Sequence, residues 1–216
     1  MSMTVTEVIT AARDLYNSTG DSFFSDTQMY VWIKKACDEM AKKAKIIERT
    51  YTTTTVDGQQ DYAYPTNTIE IKRVTYNGAK LKRITHRDDD TVTLANAAST
   101  QTGSSIYYTD WNFTLSLRPI PDSAVTLKIY SYNLAQAITA TSTIEIPDLF
   151  QFDITYYLNM MMATKDQNWD AVTYFKGMWD QAVMNAIAWK KRQKRSDSFA
   201  TVQDEESHVV TNLGEA

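Results

Sequence analysis

His86-Arg87-Asp88-Asp89-Asp90 is the densest run of chemistry-bearing side chains in this sequence. Three adjacent carboxylates offer oxygen to a divalent cation, but they lack the spacing with which a calcium loop wraps its ligands around one ion. The first three letters match the start of a kinase catalytic loop, yet the asparagine that should follow and every other kinase part are missing. The run is expected to be a solvated acidic turn. His86 and His208 are the only histidines and stand most of the chain apart, so no histidine-based metal site is expected. Cys37 falls on the apolar stripe of a predicted helix and reads as a buried structural thiol. No phosphate-cradling loop, dinucleotide fingerprint or Gly-x-Ser-x-Gly elbow occurs, and with six glycines the chain is poor in the material such loops need. These residues assemble no catalytic set, no metal site and no cofactor site, and the sequence reads as a non-enzyme.

The more unusual chemistry is aromatic. Of thirteen tyrosines, Tyr51, Tyr62, Tyr64, Tyr76, Tyr107, Tyr108, Tyr130 and Tyr132 fall within or beside one strand-rich region. Tyrosine joins an apolar body to a polar tip and is enriched at protein interfaces, although it is also a good strand residue. Met160–Met162 reads as adaptable core packing rather than a set of sulfur ligands.

Composition narrows the class. With 216 residues, 43% hydrophobic and 22% charged, the chain can bury a sizeable core as one large domain or two small ones. No apolar run approaches the roughly 20 residues of a membrane helix. The start, Met1-Ser-Met-Thr, has neither the basic nor the apolar part of a secretory signal. One cysteine rules out an internal disulfide and suits a reducing cytosol. A net charge of −4 argues against nucleic-acid binding driven by bulk positive charge, while leaving room for local patches.

The elements that must position these residues are of two kinds. Residues 4–49 predict helices. Thr6 is placed to cap the first, carrying Val8, Ile9, Ala12 and Leu15 until Gly20 breaks it. Ser25 or Asp26 caps the second, with Tyr30, Ile33, Cys37, Met40, Ala41 and Ala44 on one stripe. Its other face carries Lys34, Lys35, Asp38, Lys42, Lys43 and Lys45. Residues 50–135 predict an antiparallel β-domain. Thr52–Val56 favour extended backbone, Asp57-Gly58 and Asn77-Gly78 signal hairpins, and Ile69, Ile71, Tyr76, Leu81, Ile84, Val92 and Leu94 populate short strands. Phe113, Leu115 and Leu117 alternate on one face and Val125, Leu127 and Ile129 on another. With Pro119, Pro121, Asp122 and Ser123 between them, they predict a hairpin.

Pro147 then opens a helix carrying Leu149, Phe150, Phe152, Ile154, Tyr157, Leu158 and Met161. After a break near Lys165–Asn168, a last helix carries Trp169, Val172, Phe175, Trp179, Val183, Ala186 and Ile187. It ends in Lys190, Lys191, Arg192, Lys194 and Arg195, where cations suit the helix dipole. The C-terminal helices, 146–195, are expected to pack with the N-terminal ones. Residues 196–216, polar and acidic with Val209, Val210 and Leu213 as apolar anchors, predict an extended tail. The expected class is α+β: a helical block from both ends of the chain, an inserted small antiparallel β-sandwich or barrel, and an extended C-terminal tail.

Taken in order, these parts resemble the head-to-tail adaptor (connector or neck) proteins of short-tailed, and some other tailed, bacteriophages. The resemblance covers roughly residues 5–190. It is carried by FFSDTQMYVWIKKACDEMAKKAKI, by YTTTTVDGQQDYAYP with IEIKRVTYNGAKLKRI, by SIYYTDWNFTLSLRPIP, and by IEIPDLFQFDITYYLNMMMATKDQNWDAVTYFKGMWDQAV. It implies a structural virion protein of the neck, assembled in the host cytoplasm as a homo-oligomeric ring, commonly of twelve copies. Such a ring docks on the portal protein, extends the DNA channel with transient, non-specific contact to packaged double-stranded DNA, and attaches tail nozzle and fibre proteins. Helical regions in the family tend towards the portal and channel, and β-regions towards the tail.

On that reading the candidate portal or channel residues are Lys190, Lys191, Arg192, Lys194 and Arg195, or Lys42, Lys43 and Lys45. Tyr107, Tyr108 and Trp111 are candidates for tail-protein contact, and Val209, Val210 and Leu213 for a portal-docking arm. The alternative is a β-sandwich ligand- or glycan-binding tail component using the same three aromatics. A hydrolase built on Asp88–Asp90 has only that acidic run behind it.

Overall fold

The computed structural model describes residues 2–20, 22–85, 87 and 102–210, with side chains described as far as Gln193. His86, Asp88–Asp90, Val92 and Leu94 lie outside the described residues, as does Leu213. The α+β class holds, and the chain divides into two compact units: residues 1–46 with 135–216, and residues 47–134.

The helical unit contains α1 (Val5–Leu15), α2 (Asp26–Ala44), α3 (Asp148–Gln151), α4 (Ile154–Lys165) and α5 (Trp169–Val210). Thr4, not Thr6, caps α1: its side chain accepts from the Glu7 N–H, and the Glu7 carboxylate accepts in return from the Thr4 N–H at 2.7 Å. The earlier threonine wins because a glutamate stands three residues on, which closes a reciprocal capping box. Ser25 caps α2, and its buried stripe adds Met29, Trp32 and Ala36 to the expected residues. Pro147 stands at the cap of α3, one residue before the expected position. The helix expected to run from there breaks at Phe152–Asp153, so α4 starts anew at Ile154.

Within this unit α4 packs on α1, α2 and α5, and Ile154, Leu158, Met162 and Trp179 are among its largest fully buried side chains. The buried Gln151 amide ties the residue before the α1 cap to the segment that leads into α3: its oxygen accepts from the Met3 N–H at 2.5 Å and its nitrogen donates to Ile144 and Ile146 at 3.0 and 2.7 Å. The largest departure is α5, which stays helical through Val210, well into the stretch expected to be an extended tail. Neither glycine nor proline interrupts the chain between Gly177 and Gly214, so nothing local stops the helix at Arg195.

The β-unit contains β1 (Glu48–Thr54), β2 (Asp61–Ala63), β3 (Thr68–Tyr76), β4 (Ala79–Lys80), β5 (Lys82–Arg83), β6 (Tyr107–Trp111), β7 (Thr114–Arg118) and β8 (Thr126–Asn133). One sheet has the order β1-β8-β3-β4 and the other β2-β7-β6-β5. All pairs are antiparallel except β5–β6. Ile71, Val74, Leu127 and Ile129 of the first sheet and Tyr62, Tyr108, Leu115 and Leu117 of the second share one buried core.

The expected faces are therefore right for Leu115, Leu117, Leu127 and Ile129, but the expected partners are not. β7 and β8 lie in opposite sheets, and the turn through Pro119–Ser123 crosses between them. The hairpin is instead β6–β7, and Phe113 sits in its turn rather than on the inner face. Asn77-Gly78, both at positive φ, does close a hairpin between β3 and β4. Asp57-Gly58 does not: it carries the chain from one sheet to the other, with the Gly58 N–H donating to Pro121 at 2.9 Å.

Candidate functional site

The β6–β7 turn is built to expose aromatic rings. Trp111 pairs with Thr114, which leaves Asn112 and Phe113 as the two turn residues, at φ 48° and 59°. Asparagine tolerates the left-handed region, whereas a bulky residue pays for it in strain. The product is a tip on which Trp111 is 68% and Phe113 74% exposed. The tip is braced from below. The Tyr64 ring meets the Phe113 ring edge-on at 6.2 Å, and the Tyr64 hydroxyl donates to Asp110 Oδ2 at 2.9 Å. Arg83 donates to both Asp110 oxygens, Nε at 2.9 Å and Nη2 at 2.8 Å. Burial, and then the Asp110 carboxylate, hold the Tyr64 hydroxyl well above the ordinary tyrosine range, so it stays a donor. The Asp110 hydrogen bond likewise raises the Arg83 guanidinium. Nothing here is a poised nucleophile or base; the arrangement holds aromatic surface still.

Of the aromatics expected to face a tail protein, Trp111 lies at this tip and Tyr107 is half-buried. Tyr108 is 3% exposed and belongs to the core, because it lies opposite the inward-facing Leu117. Contrary to expectation, it offers a partner no contact surface. Sequence reasoning missed Phe113 as an exposed ring, since strand alternation assigned it to the inner face; the signal was the Asn112 before it, a turn former.

A second surface lies on the other sheet. Glu48, Arg49, Thr50, Lys72, Arg73, Tyr130 and Ser131 line a depression of about 220 Å³. The Arg73 guanidinium stacks 4.4 Å from the Tyr130 ring centre, and Lys72 Nζ lies 3.3 Å from Glu48. Three cations against one carboxylate make it a weakly basic hollow. It had no sequence signature, because its residues come from three strands that only pairing brings together.

The basic candidates sit on two helices. Lys42 and Lys43 are exposed in the last turn of α2, Lys43 bridging Glu39 at 2.6 Å, and Lys45 caps that helix at φ 53°. Lys190 is half-buried on α5 and donates to Gln193 at 3.3 Å, while Lys191 and Arg192 are exposed. Lys194, Arg195, Val209 and Val210 fall on the helical backbone of α5. The same helix exposes Tyr174 and Met178, four residues apart on one face, with Met184 about 120° round from Met178 and Trp169 at its start. Cys37 is buried, and among the described residues no cluster of His, Cys, Asp or Glu is fit to hold a metal ion.

Among the described residues, what the two units present is exposed surface: the aromatic tip, the basic hollow and the apolar side chains of α5. The chain belongs to the SU10 adaptor protein family, whose model matches residues 3–203, and is a phage adaptor protein. No curated protein matches it.

Proposed function

We propose that this protein is the head-to-tail adaptor of a phage neck. Its copies form a ring, of twelve by the family resemblance, that docks on the portal, extends the DNA channel and attaches nozzle and fibre proteins. The family match over residues 3–203 carries this reading. The exposed face of α5 at Tyr174 and Met178 supports it as a surface for packing copies together, since exposed apolar residues that lie side by side mark interaction sites. Trp111 and Phe113 supply the tail-side contact, being exposed rings held by a braced turn.

The basic residues, Lys190 to Arg195 on α5 or Lys42, Lys43 and Lys45 at the end of α2, face portal or DNA. A channel that lets DNA slide needs few firm phosphate contacts, and a net charge of −4 meets that demand. Val209 and Val210, at the end of a helix rather than on an extended tail, form with Leu213 the arm that reaches the portal. Exposure of Trp111 also favours the alternative of a glycan-binding tail component, which a glycan array on the purified protein tests directly. The main reading is tested by infection with phage lacking this protein. Filled heads without tails, rescued by adding the purified protein, are expected; normal tailed particles would refute it.

A further inference from the structure

The β-unit is an incomplete barrel whose gap is bordered by two open strand edges. Residues 79–83 cross from one sheet to the other: β4 pairs with β3, and β5 pairs with β6 immediately afterwards. The strands therefore follow one another as β1-β8-β3-β4/β5-β6-β7-β2, and among the described residues only β1 and β2 end the series. Hydrogen bonds give the direction of each ladder. The Asn133 N–H donates to Ile47 at 2.9 Å and the Thr55 N–H to Val125 at 2.8 Å, both in the β1–β8 register. Odd-numbered residues of β1 thus bond to β8, and Thr50, Thr52 and Thr54 turn their N–H and C=O groups to the gap. On the other border, the Leu117 N–H donates to Gln60 at 3.0 Å and the Tyr64 N–H to Phe113 at 2.9 Å. By the same rule Asp61 and Ala63 face the gap.

The side chains carry the mark of the gap as well. Tyr51 lies directly across from Ile129, and Ile129 across from Val74, in one row on the inner face. Ile129 and Val74 are 0% exposed, yet Tyr51 is 46% exposed. A closed barrel would bury all three. β1 has no proline and no bulge, its two charges, Glu48 and Arg49, stand at its start, and the run Thr50–Thr54 beyond them is uncharged and favours extended backbone.

We propose that the β1 edge is the docking site for one extended segment of a tail-side protein, which pairs with Thr50, Thr52 and Thr54 as the next strand and covers Tyr51. Main-chain hydrogen bonds give such a complex its affinity, and an apolar side chain seated on Tyr51 gives it selectivity. A glycan or a DNA backbone does not repeat donors and acceptors at strand spacing. A second copy is a poorer fit. Its β2 borders the same gap, its far side is closed through residues 79–83, and β1 against β1 would make a two-fold pair rather than a ring. The proposal rests on the adaptor reading only for the source of the strand.

Thr52→Pro removes one outward N–H and spares the bonds to β8, whereas Thr52→Val keeps the N–H. Full-length variants are tested for melting, portal binding and attachment of the phage's purified nozzle and fibre proteins. Attachment should weaken about tenfold or more for Thr52→Pro and stay within about twofold for Thr52→Val, with melting and portal binding unchanged. In parallel, a benzophenone photocrosslinker at residue 54 in assembled particles should join β1 to a segment of a tail protein, which holds even if the proline variant misfolds. Undiminished attachment by a folded Thr52→Pro protein overturns the proposal. So does crosslinking only to a second copy, to DNA or within the same chain. Failure of the unmodified protein to bind portal defeats the adaptor reading, whereas intact portal binding with an indifferent β1 defeats this proposal alone.

Discussion

Cys37, the one sulfur nucleophile in the chain, is disarmed by its surroundings. Burial, aided by Asp38 and Glu145, pushes its thiol from 9.0 up to about 12. The fold accommodates the neutral thiol, so this contribution to stability is complete below pH 9 and is lost as pH rises from 9 towards 12, where the unfolded chain gives up its proton first. An aromatic disulfide reagent at about pH 8 should leave the folded protein unlabelled and label it at once in denaturant; rapid native labelling would contradict this. Asn159 is a different case, fully buried on α4 with neither its amide oxygen nor its nitrogen hydrogen-bonded. Asn159→Leu should raise stability by about 1–2 kcal/mol in urea titrations, because it removes an unsatisfied amide at similar volume; a loss would show that the amide is needed. The sequence made Cys37 legible through its helical stripe. It could not rank the tyrosines, because alternation says that one of Tyr107 and Tyr108 points inward without saying which. The choice falls to the partner strand, where Leu117 faces Tyr108.

At the scale of elements, helices were easier to read than strand partners, and the reason is physical. A helix closes its hydrogen bonds within a few residues, so stripe, cap and breaker are all local. A strand's alternation fixes its face but not its neighbour, and neighbours here come from far along the chain, as β1 with β8 and β2 with β7. Proline and aspartate between Leu117 and Val125 correctly announced a change of direction, but a turn between sheets needs the same residues as a hairpin. The helix α5 offers a test of its own. Gly177 lies mid-helix with open space around the position of a Cβ. Gly177→Ala should stabilise the isolated protein by about 0.5–1 kcal/mol. If the face of Tyr174 and Met178 packs copies together, the same change should impair ring formation, as read by analytical ultracentrifugation. A destabilised monomer would contradict the stability expectation, and rings unaffected by the substitution would count against that role of α5.

At the scale of the molecule, the two units offer separate surfaces, as an adaptor that meets both portal and tail proteins requires. The order of parts along the chain carried the family likeness, and the family match over residues 3–203 bears it out. What the order could not supply was the set of surfaces, because the tip at Trp111, the hollow at Arg73 and the edge of β1 each draw on residues that only folding assembles. Deleting residues 197–216 should leave the melting of both units unchanged while abolishing attachment to portal-bearing capsids; attachment at the unmodified level would remove the arm from the account. The adaptor role itself is tested most directly by electron microscopy of the purified full-length protein, alone and mixed with its portal. Rings stacked coaxially on the portal are expected. Dispersed monomers beside bare portals, under conditions where the portal is intact, would contradict that role.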